Sequence, residues 1–226
     1  MAGISALYHH ADPEFSGRFT VPVLWDKKLD TIVNNESSEI IRMLYSEFDH
    51  LLPPELREEN RPGGGLYPSQ LRSQIDDIND WVYHTVNNGV YKTGFATTQE
   101  SYEENLFPLF KSLDRLEDIL GHGKKYLLGD HITEADVRLY TTLVRFDVAY
   151  HPVFLCNLKS VRHDYPRLNL WLRRLYWDEG DETRGAFTRP RSLIYDTTVP
   201  GTLGLDTGLC TRGGPAHCPG RPYSTR

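Results

Sequence analysis

Gly17–Lys28 reads Gly-Arg-Phe-Thr-Val-Pro-Val-Leu-Trp-Asp-Lys-Lys, and Thr31–Arg42 reads Thr-Ile-Val-Asn-Asn-Glu-Ser-Ser-Glu-Ile-Ile-Arg. Phe19, Val21, Val23 and Trp25 alternate with more polar neighbours, which predicts a short strand. Pro22 lies inside it, so either the strand is a sheet edge or the Val21–Pro22 peptide is cis and turns the chain. Lys27 to Asp30 is a polar turn and Thr31–Val33 a second short strand, together a hairpin. A helix follows, with Asn35 expected as its N-cap and Ile40, Ile41 and Leu44 as its buried face.

Outward from this stretch the chain divides. Residues before it hold one short helix around Ile4 to His9, then an Ala-Asp-Pro-Glu turn. His9-His10 are adjacent with no further ligand, and no metal is expected. Leu52-Pro-Pro-Glu55 and Arg61-Pro-Gly-Gly-Gly65 break regular structure and mark a connector. No Lys-Ser/Thr follows the glycines, so they are not a nucleotide-binding loop.

Helices dominate after Pro68. Leu71, Ile75, Ile78, Val82 and Val86 form one stripe, closed by Asn88-Gly89. Tyr102, Leu106, Leu109, Leu113, Leu116 and Leu120 form a second, starting near Thr98, with Pro108 expected to kink it and His122-Gly123 to end it. Thr133 with Asp136 three residues later is a capping signature, and Ala135, Leu139, Leu143 and Phe146 carry that helix into the core. Tyr165–Trp177 is a last amphipathic helix. Arg189–Arg226 is rich in Gly, Pro, Thr and Arg and is expected to be disordered, since it cannot offset its ordering entropy.

Composition excludes several classes. The net charge of −6 gives no reason to propose nucleic acid as a partner, and no apolar run approaches a membrane span. Three cysteines, Cys156, Cys210 and Cys218, make no disulfide framework, and a reduced, cytoplasmic setting is expected. Cys156 sits in an apolar run without an adjacent base and reads as a structural thiol. Cys210 and Cys218, with His217, lack the ligands of a zinc knuckle.

The run from Ala11 to Lys27 followed by Val-Asn-Asn-Glu-Ser, the Arg-Phe-Asp…Tyr…Phe-x-Cys-Asn pattern from Arg145 to Asn157, and the Leu-x-Gly-x-x-x-Thr-x-Ala-Asp pattern ending at Asp136 resemble glutathione transferases, the first two the Xi class, the glutathionyl-hydroquinone reductases. The resemblance covers about Tyr8 to Phe187. It implies a mostly α protein, a glutathione transferase C-terminal helical bundle preceded by a partial thioredoxin-like β-β-α half-domain. Residues 1–50 are then the partial glutathione-binding domain, 51–67 a linker, 68–187 the helical domain and 188–226 the tail. Glutathione is implied as co-substrate, held by Val21, Pro22, Glu36 and Ser37, where a helix N-terminus suits a carboxylate. Tyr91, and more weakly Tyr150, are implied as contacts to a quinol-type substrate; the plain alternatives are a surface tyrosine past a helix end and simple packing.

The same resemblance implies a nucleophilic Cys-Pro-Trp-Ala-type motif, which this sequence does not contain, and a closing His-Ile-Lys…Tyr…Ser-His…Asn-Pro stretch, which is also missing. The first strand, first helix and second strand of the glutathione-binding domain are therefore expected to be absent, through a truncated gene model or splice form. The half-domain should then expose an edge and rest mainly on the helical domain. The expected function is a glutathione transferase that reduces glutathionyl-quinols, catalytically impaired in this chain and with no catalytic residue assigned. The alternative is a non-catalytic glutathione transferase-like interaction module. A homodimer is implied by resemblance alone.

Overall fold

A computed structural model describes residues 3–121, 123–183 and 185–187. The expected tail, with Cys210, His217 and Cys218, lies outside the described residues. The chain is mostly helical. Helix α1 (Ile4–Ala11) leads to strands β1 (Leu24–Asp26) and β2 (Thr31–Asn34), then helix α2 (Ser37–Ser46). A connector of single helical turns follows. The bundle comprises α3 (Arg72–Val82), α4 (Gly89–Gly94), α5 (Gln99–Leu120), α6 (Glu134–Leu143), the short α7 (His151–Val153) and α8 (Val161–Asp164), and α9 (Pro166–Trp177).

The hairpin is smaller than expected. Its two strands pair antiparallel, Trp25 opposite Ile32 and Asp26 opposite Thr31, with an irregularity between Leu24 and Trp25. Residues from Phe19 to Val23 do not join the ladder. The Val21–Pro22 peptide is cis, and the Thr20 carbonyl is taken by the Tyr8 hydroxyl at 2.9 Å. Phe19 packs instead with Tyr8, Phe15 and His9, at ring separations of 5.3–5.7 Å. His10 turns away to Asp30, 2.7 Å distant, so the two histidines do not converge.

Helix α2 departs from expectation at its cap and its face. Glu36, not Asn35, is the N-cap, and the Asn34 side chain accepts the Glu36 N–H at 2.6 Å. Ile40 and Ile41 are half-buried and Leu44 is 57% exposed. Only two short strands stand among the described residues, too little surface to cover that helix face.

The connector is held by side chains. Gly63, Gly64 and Gly65 have φ of +70°, +82° and +88°, a turn only glycine makes without strain. The Glu58 carboxylate accepts the Leu66 N–H, and Arg61 donates to the Glu182 carbonyl at 3.2 Å.

The helical stripes form the core as read. Ile75, Val86, Leu109, Leu113, Leu116, Leu139 and Phe146 are fully buried, each such side chain contributing ~2 kcal/mol. Thr98 caps α5, accepting the Ser101 N–H at 3.1 Å, and Pro108 lies within that one continuous helix. His122 lies outside the described residues. The capping box at α6 is complete: Asp136 Oδ2 accepts the Thr133 N–H at 3.0 Å and its hydroxyl at 2.9 Å. Its other oxygen accepts from Leu127 N at 3.0 Å and Trp171 Nε1 at 2.9 Å.

Asn88-Gly89 does not end the third helix. The chain widens into a π-turn at Tyr83–Asn87, with Asn88 N bonded to the Tyr83 carbonyl at 2.9 Å, and continues directly as α4. A second π-turn, Phe146–Tyr150, follows α6.

Candidate functional site

The two π-turns position the two tyrosines. The first feeds α4, which carries Tyr91; the second ends on Tyr150. Their hydroxyls meet at 2.9 Å and their rings at 5.6 Å, edge to face. Tyr91 is on a helix rather than past the end of one. It is 43% exposed, whereas Tyr150 is 7% exposed. Phe95 and Phe154 complete a four-ring face, and a groove of about 520 Å³ bordered by Asn88, Tyr91, Phe95 and Asn105 opens beside it.

Burial, and then the bond to Tyr91, push the Tyr150 phenol up to about 12. It therefore stays protonated at neutral pH. A buried phenol in that state can donate to Tyr91 Oη and leave the Tyr91 O–H for a ligand oxygen, the two bonds polarising one another.

Val21, Pro22, Glu36 and Ser37 lie on the hairpin side, all exposed, Val21 by 74%. They are drawn together through their neighbours. Tyr8 Oη donates to the Thr20 carbonyl, and Asn35 Nδ2 reaches Tyr8 Oη at 3.1 Å and Thr20 Oγ1 at 3.3 Å. The residue before Val21 is thus tied to the residue before Glu36, which sets the start of α2 beside the Val-Pro turn. No hydrogen bond or ring contact joins this group to Tyr91 or Tyr150 among the described residues.

Sequence reasoning missed Tyr8 and a buried ionic centre. Glu134, 1% exposed, accepts from Arg42 Nε at 3.1 Å, Arg138 Nη2 at 2.8 Å, Asn79 Nδ2 at 3.0 Å and the Tyr45 hydroxyl. Arg42 also reaches Asp76 at 2.5 Å and lies 4.0 Å from the centre of the Tyr67 ring. Burial works against the Arg42 charge, but Glu134 and Asp76 outweigh it and hold its pKa above the ordinary value. Arg138 donates to the Ser38 carbonyl at 3.3 Å, one residue past Ser37. Position alone does not mark Glu134, which reads as an exposed first-turn acid.

Cys156 is fully buried, its sulfur 3.9 Å from the Val90 carbonyl. Burial pushes the thiol up to about 12. Among the described residues no three His, Cys, Asp or Glu side chains stand together to hold a metal ion, and no helix is long and apolar enough to cross a membrane.

The helices, the hairpin and the cis-proline turn are those of a glutathione transferase fold, and the comparisons agree. Residues 99–174 match the family described as glutathione S-transferase, C-terminal domain. The chain is similar to the glutathione transferases, and residues 99–174 carry their C-terminal domain.

Within them its similarity is to the Xi class. A crystal structure of the glutathione-S-transferase Xi from Phanerochaete chrysosporium aligns with TM-score 0.70 at 56% identity, over 77% of this chain and 54% of that one. The glutathione-bound structure of YqjG from Escherichia coli aligns with TM-score 0.68 at 52% identity, over 77% and 53%. A Schizosaccharomyces pombe protein described as glutathione S-transferase omega-like 2 is 58% identical over 76% of this chain and 54% of its own length. The Escherichia coli glutathionyl-hydroquinone reductase YqjG is 48% identical over 85% and 58%. The chain spans about half the length of the curated relatives it matches.

Proposed function

We propose that the chain is a glutathione transferase of the glutathionyl-hydroquinone reductase type, with the glutathione and quinol contacts in place and the thiol step impaired. The observation that carries this reading is the 2.9 Å pair of Tyr91 and Tyr150 hydroxyls set in a four-ring aromatic face. It is supported by relatives described as glutathionyl-hydroquinone reductases and as glutathione-bound.

In this reading glutathione is the co-substrate. The Val21 backbone before Pro22 meets its cysteinyl part. The first amides of α2 have no intrahelical acceptor, so they, with the Ser37 hydroxyl, take the γ-glutamyl carboxylate, and Glu36 takes its ammonium. Tyr91 donates to an oxygen of the quinol, and Tyr150 holds Tyr91 in place. The domain division stated from the sequence is part of the proposal, as are a homodimer and a cytoplasmic setting.

The reductive step needs a thiolate. It attacks the glutathione sulfur, the bond between that sulfur and the ring breaks, the ring carbon takes a proton, and a second glutathione frees the resulting mixed disulfide. Cys156 is not suited to this: it is buried, and its pKa near 12 leaves almost no thiolate at neutral pH. Cys210 and Cys218 lie outside the described residues.

Calorimetric titration of glutathione into the chain tests the binding half. Weak binding that is lost when Glu36 and Ser37 are both changed to alanine is the expected result. Undiminished affinity in that double variant overturns the assignment of these residues.

A second reading, a non-catalytic interaction module, is favoured by the apolar side chains left open on the N-terminal part. Leu29 is 71% exposed, Leu44 57% and Leu51 68%. A chain that binds no glutathione yet self-associates in light scattering supports this second reading.

A further inference from the structure

Of the four rings beside the groove, two, Tyr91 and Phe154, each touch the other three. The Phe154 centroid lies 5.6 Å from Tyr91, 5.2 Å from Phe95 and 5.6 Å from Tyr150. Wherever Phe154 points, the shape of the face follows.

Two features outside the rings fix it. A methyl group at Gly94 would stand 2.3 Å from Phe154 Cγ and 2.7 Å from its Cβ. The ring root fills the space any side chain at 94 would need, and packed interiors do not absorb such an overlap without moving a neighbour. The next residue along from the ring, Leu155, has φ of +55°, a left-handed conformation uncommon for a bulky side chain. Its carbonyl accepts two hydrogens, from Tyr102 Oη at 2.6 Å and from Asn157 N–H at 2.8 Å. Tyr102 belongs to α5, 53 residues away. This bond is therefore tertiary, and it holds a peptide orientation that leucine alone does not favour.

We propose that Tyr102 and Gly94 are positioning residues for a planar aromatic ligand: Tyr102 through the Leu155 carbonyl, and Gly94 by leaving room, set the Phe154 ring so that an aryl ring packs on Phe95 and Phe154 with its oxygen at Tyr91. The inference rests on the reading of Tyr91 as donor to a substrate oxygen, and deepens it. Aryl chemistry follows from the surface itself. Phe95 is 70% exposed, it stacks at 30° to Tyr91 with centroids 6.3 Å apart, and the four side chains offer ring carbon with phenol oxygens at one side. Offset stacking and edge contact are the geometries aromatic rings prefer.

The test is titration of 1-naphthol, a planar aryl alcohol, into the full chain without glutathione, followed by naphthol fluorescence. This keeps the measurement independent of any thiol. The chain as written binds. Tyr102→Phe keeps the ring of Tyr102 but removes the donor, and affinity falls by about three- to tenfold. Gly94→Ala lowers it at least as far. Phe154→Leu lowers it too, and in that background neither Tyr102→Phe nor Gly94→Ala has a further effect, because both act through Phe154. A general loss of structure would instead add to the Phe154→Leu effect, and circular dichroism reports it separately.

Affinity unchanged in Tyr102→Phe and Gly94→Ala, or effects that persist beside Phe154→Leu, overturns the proposal. If Tyr91→Phe still weakens binding in that case, the reading of Tyr91 survives. No binding of 1-naphthol by the chain as written overturns both.

Discussion

Arg42 on α2 and Glu134 at the start of α6 form a two-point ion pair across 92 residues of sequence, Nε to Oε2 at 3.1 Å and Nη2 to Oε1 at 3.2 Å. The acid is buried and the base half-buried, so the pair fastens the hairpin part onto the helical bundle. A short two-stranded sheet with one helix does not stand alone. Its support comes from this pair, from Tyr45 on the same carboxylate and from Arg138 on the Ser38 carbonyl.

Removing one partner leaves the others with a buried charge or an empty acceptor. Glu134→Gln should cost about 3 kcal/mol, read as a lower urea midpoint in far-UV circular dichroism. Arg42→Ala should cost less, because Arg138, Asn79 and Tyr45 still satisfy Glu134. Equal stability of Glu134→Gln and the parent chain would show that the centre contributes nothing.

Asp136 accepts four hydrogens and is completely buried. Asp136→Asn replaces an acceptor with an amide that cannot take all four, leaving buried donors unpaired. A loss of roughly 3 kcal/mol is expected, against about 1 kcal/mol for Thr133→Ala. Both are measured by the same denaturation series, and the reverse order would contradict the assignment of Asp136 as the hub.

The Cys156 thiol should resist iodoacetamide in the folded chain at pH 8 and react once urea is added, scored by mass spectrometry. The sign of its pH dependence follows from its shift. Folding raises the pKa from 9.0 to about 12, so the folded state holds the proton more tightly. Its contribution to stability is fully present below pH 9 and is lost as pH rises through 12. Cys156→Ala should therefore flatten the alkaline limb of the stability curve. Rapid alkylation of Cys156 itself in the native chain would contradict the burial.

The helical half of this fold was legible because its signals are local. Thr98 and Thr133 mark true helix starts, and the leucine spacing of α5 maps onto the core. What was not legible depends on contacts between distant segments. Asn88-Gly89 carries an ordinary stop signal, yet a π-turn takes up the irregularity and places Tyr91 on a helix. Ile40, Ile41 and Leu44 show an apolar spacing that promises burial, but burial also needs a surface to receive it. Glu134 looks like any exposed acid beside a capping box until Arg42 and Arg138 converge on it. Tyr91 and Tyr150 were each found by resemblance, and only the fold shows that their hydroxyls touch.

The central proposal is a chain that holds glutathione and quinol contacts and in which Cys156 does not serve as the reducing thiol. The direct measurement is glutathionyl-hydroquinone reduction by the purified, folded and monodisperse chain, beside the variant with Glu36 and Ser37 changed to alanine. The account predicts no turnover above the uncatalysed rate in either. Turnover by the chain as written that disappears with Glu36 and Ser37 would contradict it.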